Sequence, residues 1–251
     1  LMKSCDTYFY KLSTEIGIDN IAKMAARFGL GQKYNFDIKE ERAGLIPTKE
    51  WKLGRYGRVW RPGETIVASI GQGYMLATPL QLAVMTARLT NGGFAVEPWL
   101  VGYIGDKKIY KESWPSIGIK NKNLKLIKLG MDRVVNHEDG TAYASKIEEI
   151  SKAFGGKTGT AQVKKINRAE RARGITNDDL EWKYRHHALF VGYAPLNNPR
   201  YVCSVVVEHG GGGSAVAAPL ARDLLLEAQR RDPAKEDIKL SSAGEWKKNN
   251  V

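Results

Sequence analysis

Residues 151–163 read SKAFGGKTGTAQV, and the meaning of their centre, Gly156-Lys157-Thr158, decides the class of protein. One reading is the end of a nucleotide-binding P-loop. That loop needs a glycine six residues before its lysine and a helix directly after it. Position 151 is serine, and the following Gly159-Thr160-Ala161-Gln162-Val163 is poor helix chemistry. The same residues suit an extended edge strand, where glycine lets another backbone approach closely. The P-loop reading therefore fails twice. What remains is a Lys-Thr-Gly triad on a strand, which is either an ordinary strand start or a strand bordering an active site. On the second alternative Lys157 would supply positive charge for an anionic group, and the small residues would let another backbone lie along the strand as an added strand.

The rest of the chain sets the setting of that strand. Its 251 residues suit one large domain or two small ones, and 43% hydrophobic content is enough for a core. A formal charge of +12 calls for an anionic partner or surface: nucleic acid, anionic lipid headgroups or an acidic polymer such as cell-wall glycan. No basic-then-apolar leader opens the chain, so no signal peptide is expected. A long charge-free run, residues 66–87, contains Gly71, Gln72, Gly73, Pro79 and Gln81, which predicts a buried strand, a loop and a helix, not a membrane span. Cys5 and Cys203 are the only cysteines, and one disulfide between them is possible.

Helical signals dominate the first half. Ser4 is placed to cap a helix through Phe9, Leu12 and Ile16 that Gly17 ends. A second helix is expected from Asp19, with Ile21, Met24, Ala25 and Phe28 as its apolar stripe and Gly29 and Gly31 as its stop. Residues 32–65 show no period and read as a long ordered excursion. In ATPLQLAVMTARLTNGG, residues 77–93, Thr78 caps, Pro79 takes the first turn, Gln81 completes a capping box and Asn91-Gly92-Gly93 terminates. FAVEPWLVGYI, residues 94–104, reads as strand-rich, and a charged helix is expected over 121–135. HALFVGYAP and RYVCSVVVEHG, joined by a turn at Asn197-Asn198, read as neighbouring buried strands. AVAAPLARDLLLEAQRR, residues 215–231, follows as a helix on that sheet, and a polar, frayed tail is expected over 232–251. The fold class is mixed α/β (α+β), with a mainly antiparallel sheet covered by helices.

Several ordered strings then point one way: SCDTYFY (4–10), SIGQGYMLATPLQLA (69–83), GTA (140–142), GGKTGTAQV (155–163), FVGYAP (190–195) and EHGGGG (208–213). In penicillin-recognising serine enzymes a Lys-Thr-Gly triad works with a Ser-x-x-Lys nucleophile motif and a Ser-x-Asn motif. Over roughly residues 1–230 the chain resembles the C-terminal part of the transpeptidase domain of class B penicillin-binding proteins, of the elongation-type penicillin-binding protein 2 group.

The resemblance implies the penicillin-binding-protein and serine β-lactamase-like fold, N-terminally incomplete, over 1–231. It implies peptidoglycan D,D-transpeptidase activity with no cofactor and no metal. Ser4 would sit in the proton relay and Asp6 would be the third member of its motif, with aspartate where most relatives carry asparagine. Lys157 would balance the substrate carboxylate and bond to Ser4. Thr158, Gly159 and Thr160 would line the binding strand, the Thr160 hydroxyl on the carboxylate and its N–H in the oxyanion hole. The implied partners are peptidoglycan stem peptides, β-lactam antibiotics and membrane proteins of the elongation complex, including a SEDS-family glycosyltransferase, with no nucleic acid among them. The implied location is the periplasmic face of the bacterial inner membrane, held by an N-terminal anchor that this chain does not contain.

One element of the pattern is missing. No Ser or Thr has a lysine three positions later, so the nucleophile motif is not in these 251 residues. The expectation is a C-terminal fragment of a longer protein. Cys5 is expected to be a buried structural thiol, because upstream ligands would be needed for a zinc site. His186 and His187 are expected as strand-entry residues, and His209 lies near the expected cleft. Residues 164–185 read as a solvated hairpin or partly disordered loop, or, through Arg168, Arg171 and Arg173, as a contact for anionic glycan or a partner subunit.

Two other functions stay open on sequence. A basic nucleic-acid-binding module would explain the interleaved aromatics of WKLGRYGRVWRPG, residues 51–63. A β-lactamase-like hydrolase of the same fold would carry the same triad. The isolated chain is expected to gain no mass after incubation with penicillin, as read by intact-mass spectrometry. A single stoichiometric adduct would overturn this and make another serine the nucleophile, Ser4 first.

Overall fold

The computed structural model describes residues 1–34, 39–109, 113–164, 169 and 172–233. α1 (Asp6–Ile16) ends at Gly17, and α2 (Ile18–Arg27) starts immediately, one residue before the expected Asp19. Ile18 is fully buried at that start, and Ala22 is buried one turn on, whereas Met24 is 40% exposed and not part of the inner stripe. The excursion at 32–65 contains two short helices, α3 (Lys49–Tyr56) and α4 (Pro62–Ala68). Each has a local start. Thr48 Oγ1 accepts the Trp51 N–H at 3.0 Å, and the Glu64 carboxylate accepts the Arg61 N–H at 2.7 Å.

α4 runs through Ile66 to Ala68, so the buried strand expected at the head of the charge-free run is helix instead. Pro62 and Glu64, just outside that run, start the helix that its apolar residues continue. A part-buried ion pair joins α3 to α4: Lys52 Nζ donates to both Glu64 oxygens at 2.5 Å and to Val59 O at 3.0 Å. Burial pushes the Glu64 carboxyl up, but the hydrogen bonds from Lys52 and the Arg61 N–H outweigh it and leave the group below its ordinary range. α4 packs on α1.

α5 (Pro79–Thr90) has the expected reciprocal capping box, Gln81 N–H to Thr78 Oγ1 at 3.2 Å and Thr78 N–H to Gln81 Oε1 at 3.1 Å. The piece expected to be strand-rich holds less strand than its composition suggests: a hairpin of β1 (Tyr103–Ile104) with β2 (Lys107–Lys108), and a bridge from Phe94 to Ser116. Pro98 and Gly102 interrupt the run. α6 (Asn121–Asn136) covers the expected charged helix. No helix of the described residues is long and apolar enough to cross a membrane.

The sheet that follows is built from β3 (Gly155–Ala161), β4 (His187–Ala194) and β5 (Tyr201–Val207), antiparallel in the order β3-β4-β5. α6 packs on β3, α5 packs on β4 and β5, and α7 (Ala218–Arg231), entered through a π-helical turn at Gly213–Ala217, also packs on β4 and β5. β4 is covered on both faces, which is why it reads as one apolar run without alternation. Its Gly192 faces α7, where Leu225 Cδ1 stands 3.0 Å from a would-be Cβ, and Tyr193, on the other face, donates to Lys128 O of α6 at 3.4 Å. Phe190 is fully buried, a contribution of about 1.5–3 kcal/mol for a side chain of that size. Asp232, placed in the polar tail from sequence, is tied to β5 instead: Tyr201 Oη donates to it at 2.5 Å and Arg200 pairs with it at 3.0 Å. The tail beyond Pro233 lies outside the described residues, as do Arg168 and Arg171 of the 164–185 segment.

The cysteines depart from expectation. Both thiols are free, so no disulfide joins them, and Cys5 is exposed, not buried. A hydrogen bond with Thr7, 3.2 Å away, lowers the Cys5 thiol from its ordinary value, whereas burial pushes Cys203 up to about 12. Two outcomes follow from this architecture. Gly156→Ala would place a Cβ 2.3 Å from Phe190 Cζ and 2.5 Å from Val191 O, and is expected to lower the melting temperature by destabilising the sheet; the cost of such overpacking is about 1–3 kcal/mol. Alkylation of the native chain at neutral pH is expected to modify one thiol, mapped by peptide mass to Cys5, with Cys203 protected until denaturation.

Candidate active site

β3 brings its lysine to the N-terminal turn of the chain. Lys157 Nζ donates to Ser4 Oγ at 2.5 Å, to Thr158 O at 2.8 Å and to Thr158 Oγ1 at 3.3 Å. Residues 153 positions apart therefore meet at one ammonium group. Burial pulls that ammonium below the ordinary lysine range, and the Asp6 carboxylate opposes the shift. A lysine held this way is a short-range charge with a hydroxyl already in contact.

Ser4 is not the cap of α1. The N-cap position is Cys5, no side chain caps it, and the helix begins at Asp6. Ser4 instead lies in a turn closed by its N–H to Leu1 O at 3.1 Å, with φ at 48°. A non-glycine residue there carries strain of about 1–3 kcal/mol and persists only where its surroundings hold it. Here the strained turn aims the hydroxyl at Lys157 and away from the helix. Asp6, in the first turn of α1, is exposed.

Thr158 lies at the centre of a second contact. Its hydroxyl is 3.1 Å from Thr141 Oγ1, and the Thr141 N–H donates to Met2 O at 3.3 Å. Thr141 thus stitches β3 to the Ser4 turn. Sequence reasoning noted GTA at 140–142 only as a matching string and assigned Thr141 no place in the site. Gly159 pairs with Leu189 and Thr160 with Ala188 along β4, and the Thr160 side chain is exposed at the end of the strand. Among the described residues β3 pairs with β4 on one side only, so its other edge is open to an added strand. The structure accordingly gathers Ser4, Lys157 and Thr158 at one point, sets Asp6 at the rim, and lays Gly159 and Thr160 along the edge.

The histidines serve as braces. His187 opens β4, its Nδ1 accepting the His209 N–H at 2.9 Å, and His209 Nδ1 lies 3.0 Å from Arg185 O. The His186 N–H donates to Asn177 Oδ1 at 2.7 Å. Among the described residues no group of three His, Cys, Asp or Glu side chains is placed to hold a metal ion. The stretch 51–63 is partly tied inward. Lys52 is turned inward to Glu64, and Trp51, Tyr56 and Trp60 engage Tyr74 with ring centroids 5.2–6.2 Å apart.

Residues 1–226 match the penicillin binding protein transpeptidase domain. The chain is 39% identical over 230 residues to the peptidoglycan D,D-transpeptidase MrdA of Haemophilus influenzae, covering 90% of this chain and 35% of that protein. It therefore spans about a third of the length of that curated relative. Among solved structures it is similar to Pseudomonas aeruginosa PBP2 in complex with WCK 5153, with a TM-score of 0.74, 39% identity, and coverage of 89% of this chain and 44% of that one. It is likewise similar to PBP2 in the complex with MreC from Helicobacter pylori, with a TM-score of 0.75, 32% identity, and coverage of 93% and 39%. A strand-borne lysine on a remote serine, an open strand edge beside it and a family match over nine-tenths of the chain agree: the chain belongs to the penicillin-binding protein transpeptidase family.

Proposed function

We propose that this chain supplies the substrate strand and the Ser4–Lys157 relay of a serine-type peptidoglycan D,D-transpeptidase that is also a β-lactam target. The observation that carries the reading is the 2.5 Å contact of Lys157 with Ser4 beside the open edge of β3. The nucleophilic serine and its lysine belong, in this reading, to a segment of the complete protein that these 251 residues do not include, and the isolated chain is inactive. Residues 1–231 form the transpeptidase part and 232–251 a polar tail.

A stem peptide ending in D-Ala-D-Ala lies along β3 as an added strand. The Lys157 ammonium attracts its terminal carboxylate, aided by the Thr158 and Thr160 hydroxyls. The nucleophile's oxygen bonds to the penultimate D-alanine carbonyl carbon, and the Thr160 N–H stabilises the oxyanion. As the C–N bond breaks, Ser4 passes a proton from the nucleophile's side to the departing amine, and D-alanine leaves. An amine on a neighbouring strand then attacks the acyl-enzyme, returns its proton through the same relay and forms the cross-link. Asp6, near the ammonium, keeps Lys157 charged against the burial that favours its neutral form.

The H. pylori structure holds PBP2 together with MreC, and a further relative is described in a peptidoglycan synthase complex. We propose that the complete protein works in an elongation complex with membrane partners of this kind, including a SEDS-family glycosyltransferase, at the periplasmic face of the inner membrane, a reading these likenesses support. The acidic glycan suits the chain's +12 charge.

The reading is tested on the complete polypeptide. Lys157→Ala is expected to slow acylation by a fluorescent penicillin by about 100-fold or more, the scale for losing one electrostatic contact to the transition state. Because burial lowers the Lys157 pKa, the charged form is lost as pH rises, and the alkaline limb of acylation should lie below the ordinary lysine range. Lys157→Arg, which does not titrate there, should move that limb upward. Wild-type acylation by Lys157→Ala, or an unmoved limb in Lys157→Arg, would remove Lys157 from this role.

A further inference from the structure

The open edge of β3 carries an occupant from the chain itself. Gln72 Nε2 donates to Thr160 O at 2.8 Å, and the Gln162 N–H donates to Gln72 Oε1 at 3.4 Å. The two contacts fix the amide's orientation, since the flipped amide would set oxygen against oxygen and N–H against N–H. A residue in an antiparallel strand offers its own N–H and C=O to the same neighbour, and alternate residues serve alternate neighbours. Thr158, Thr160 and Gln162 therefore face this edge, and the Gln72 amide pairs with it as one peptide group of an adjacent strand would.

Gln72 is delivered there by backbone geometry. α4 closes with Gly71 N–H to Ala68 O at 2.9 Å and Gln72 N–H to Val67 O at 3.2 Å, the paired bonds of a Schellman turn. Gly71 stands at φ 78°, where a side chain would be strained. The turn ends the helix and points the next residue across to β3. Both amide contacts are solvent-exposed and one is long, so the pairing is breakable.

We propose that Gln72 is a removable stand-in for the substrate strand. Its amide holds the Thr160 carbonyl, the acceptor to which an incoming peptide N–H donates, and substrate entry displaces it. The inference rests on the transpeptidase reading, because it assumes that ligands add to this edge. It assigns Gln72 two effects. It masks an edge that would otherwise pair with any extended chain, and it taxes only ligands whose own N–H must take the Thr160 carbonyl. A fixed wall of the site would act in the opposite sense, since removing a wall loosens binding.

The test uses the complete polypeptide, wild type and with Gln72→Ala or Gln72→Glu, the latter keeping size while replacing the donor with a repelling oxygen. Second-order acylation rates are measured with two probes: a penicillin bearing an acylamido side chain, and a carbapenem whose hydroxyethyl group has no amide N–H. Both variants are expected to be acylated faster by the penicillin by about 3- to 10-fold, the factor carried by one net hydrogen bond, with the carbapenem rate changed less than about 2-fold. An unchanged or slower penicillin rate, or an equal rise with both probes, would overturn the stand-in role while leaving the transpeptidase reading intact. A wild-type protein acylated by neither probe would sink that reading, and the stand-in with it.

Discussion

β3 has one backbone and two edges, and the site depends on their being used differently. One edge is committed to β4 through a seven-residue register from Gly155 opposite Tyr193 to Ala161 opposite His187. That commitment holds the strand straight and fixes which carbonyls face outward. The other edge is then presented as a row of donors and acceptors at strand spacing. Packing enforces the arrangement: Phe190 lies so close to Gly156 that no side chain fits between them. The core and the open edge are thus two sides of the same strand, and the core is what gives the edge its precision.

The second constraint is charge placed where water is scarce. A lysine ammonium partly removed from water is costly unless hydrogen bonds replace its hydration. Lys157 meets this with Ser4, the Thr158 carbonyl and the Thr158 hydroxyl. The strained turn at Ser4 and the Thr141 contact hold those partners in place. Asp6 adds a negative charge that works against burial. In the proposed reaction this yields a cation strong enough to attract a carboxylate, with a hydroxyl already positioned to move a proton.

How much of this could be read from the sequence varied with the kind of signal. Where local chemistry decides, as in the capping box of Thr78 and Gln81 or the apolar runs of β4 and β5, the elements were legible, and so was the family from its ordered strings. Where tertiary contact decides, they were not. Cys5 looked like a buried thiol because free cysteines usually are, yet the α1 turn leaves it exposed. Ser4 looked like a helix cap because its residue type favours that position, but Lys157 competes for the same hydroxyl. The strand expected near Ile66 became the end of α4, since an apolar run this short has no period that separates strand from helix. Thr141 and Gln72 escaped notice because each acts through one contact with a strand far away in the chain.

α4 is seven residues long, well below the length at which an isolated helix holds its shape in water. Its form is borrowed from the Lys52–Glu64 pair and from packing on α1. The turn that carries Gln72 hangs from that borrowed support. Lys52 and Glu64 lie nowhere along β3, yet a change at either would alter how firmly the helix end is held over the edge. Heritable variation in ligand response can thus arise at positions that never touch a ligand, and a survey confined to contact residues would pass over them.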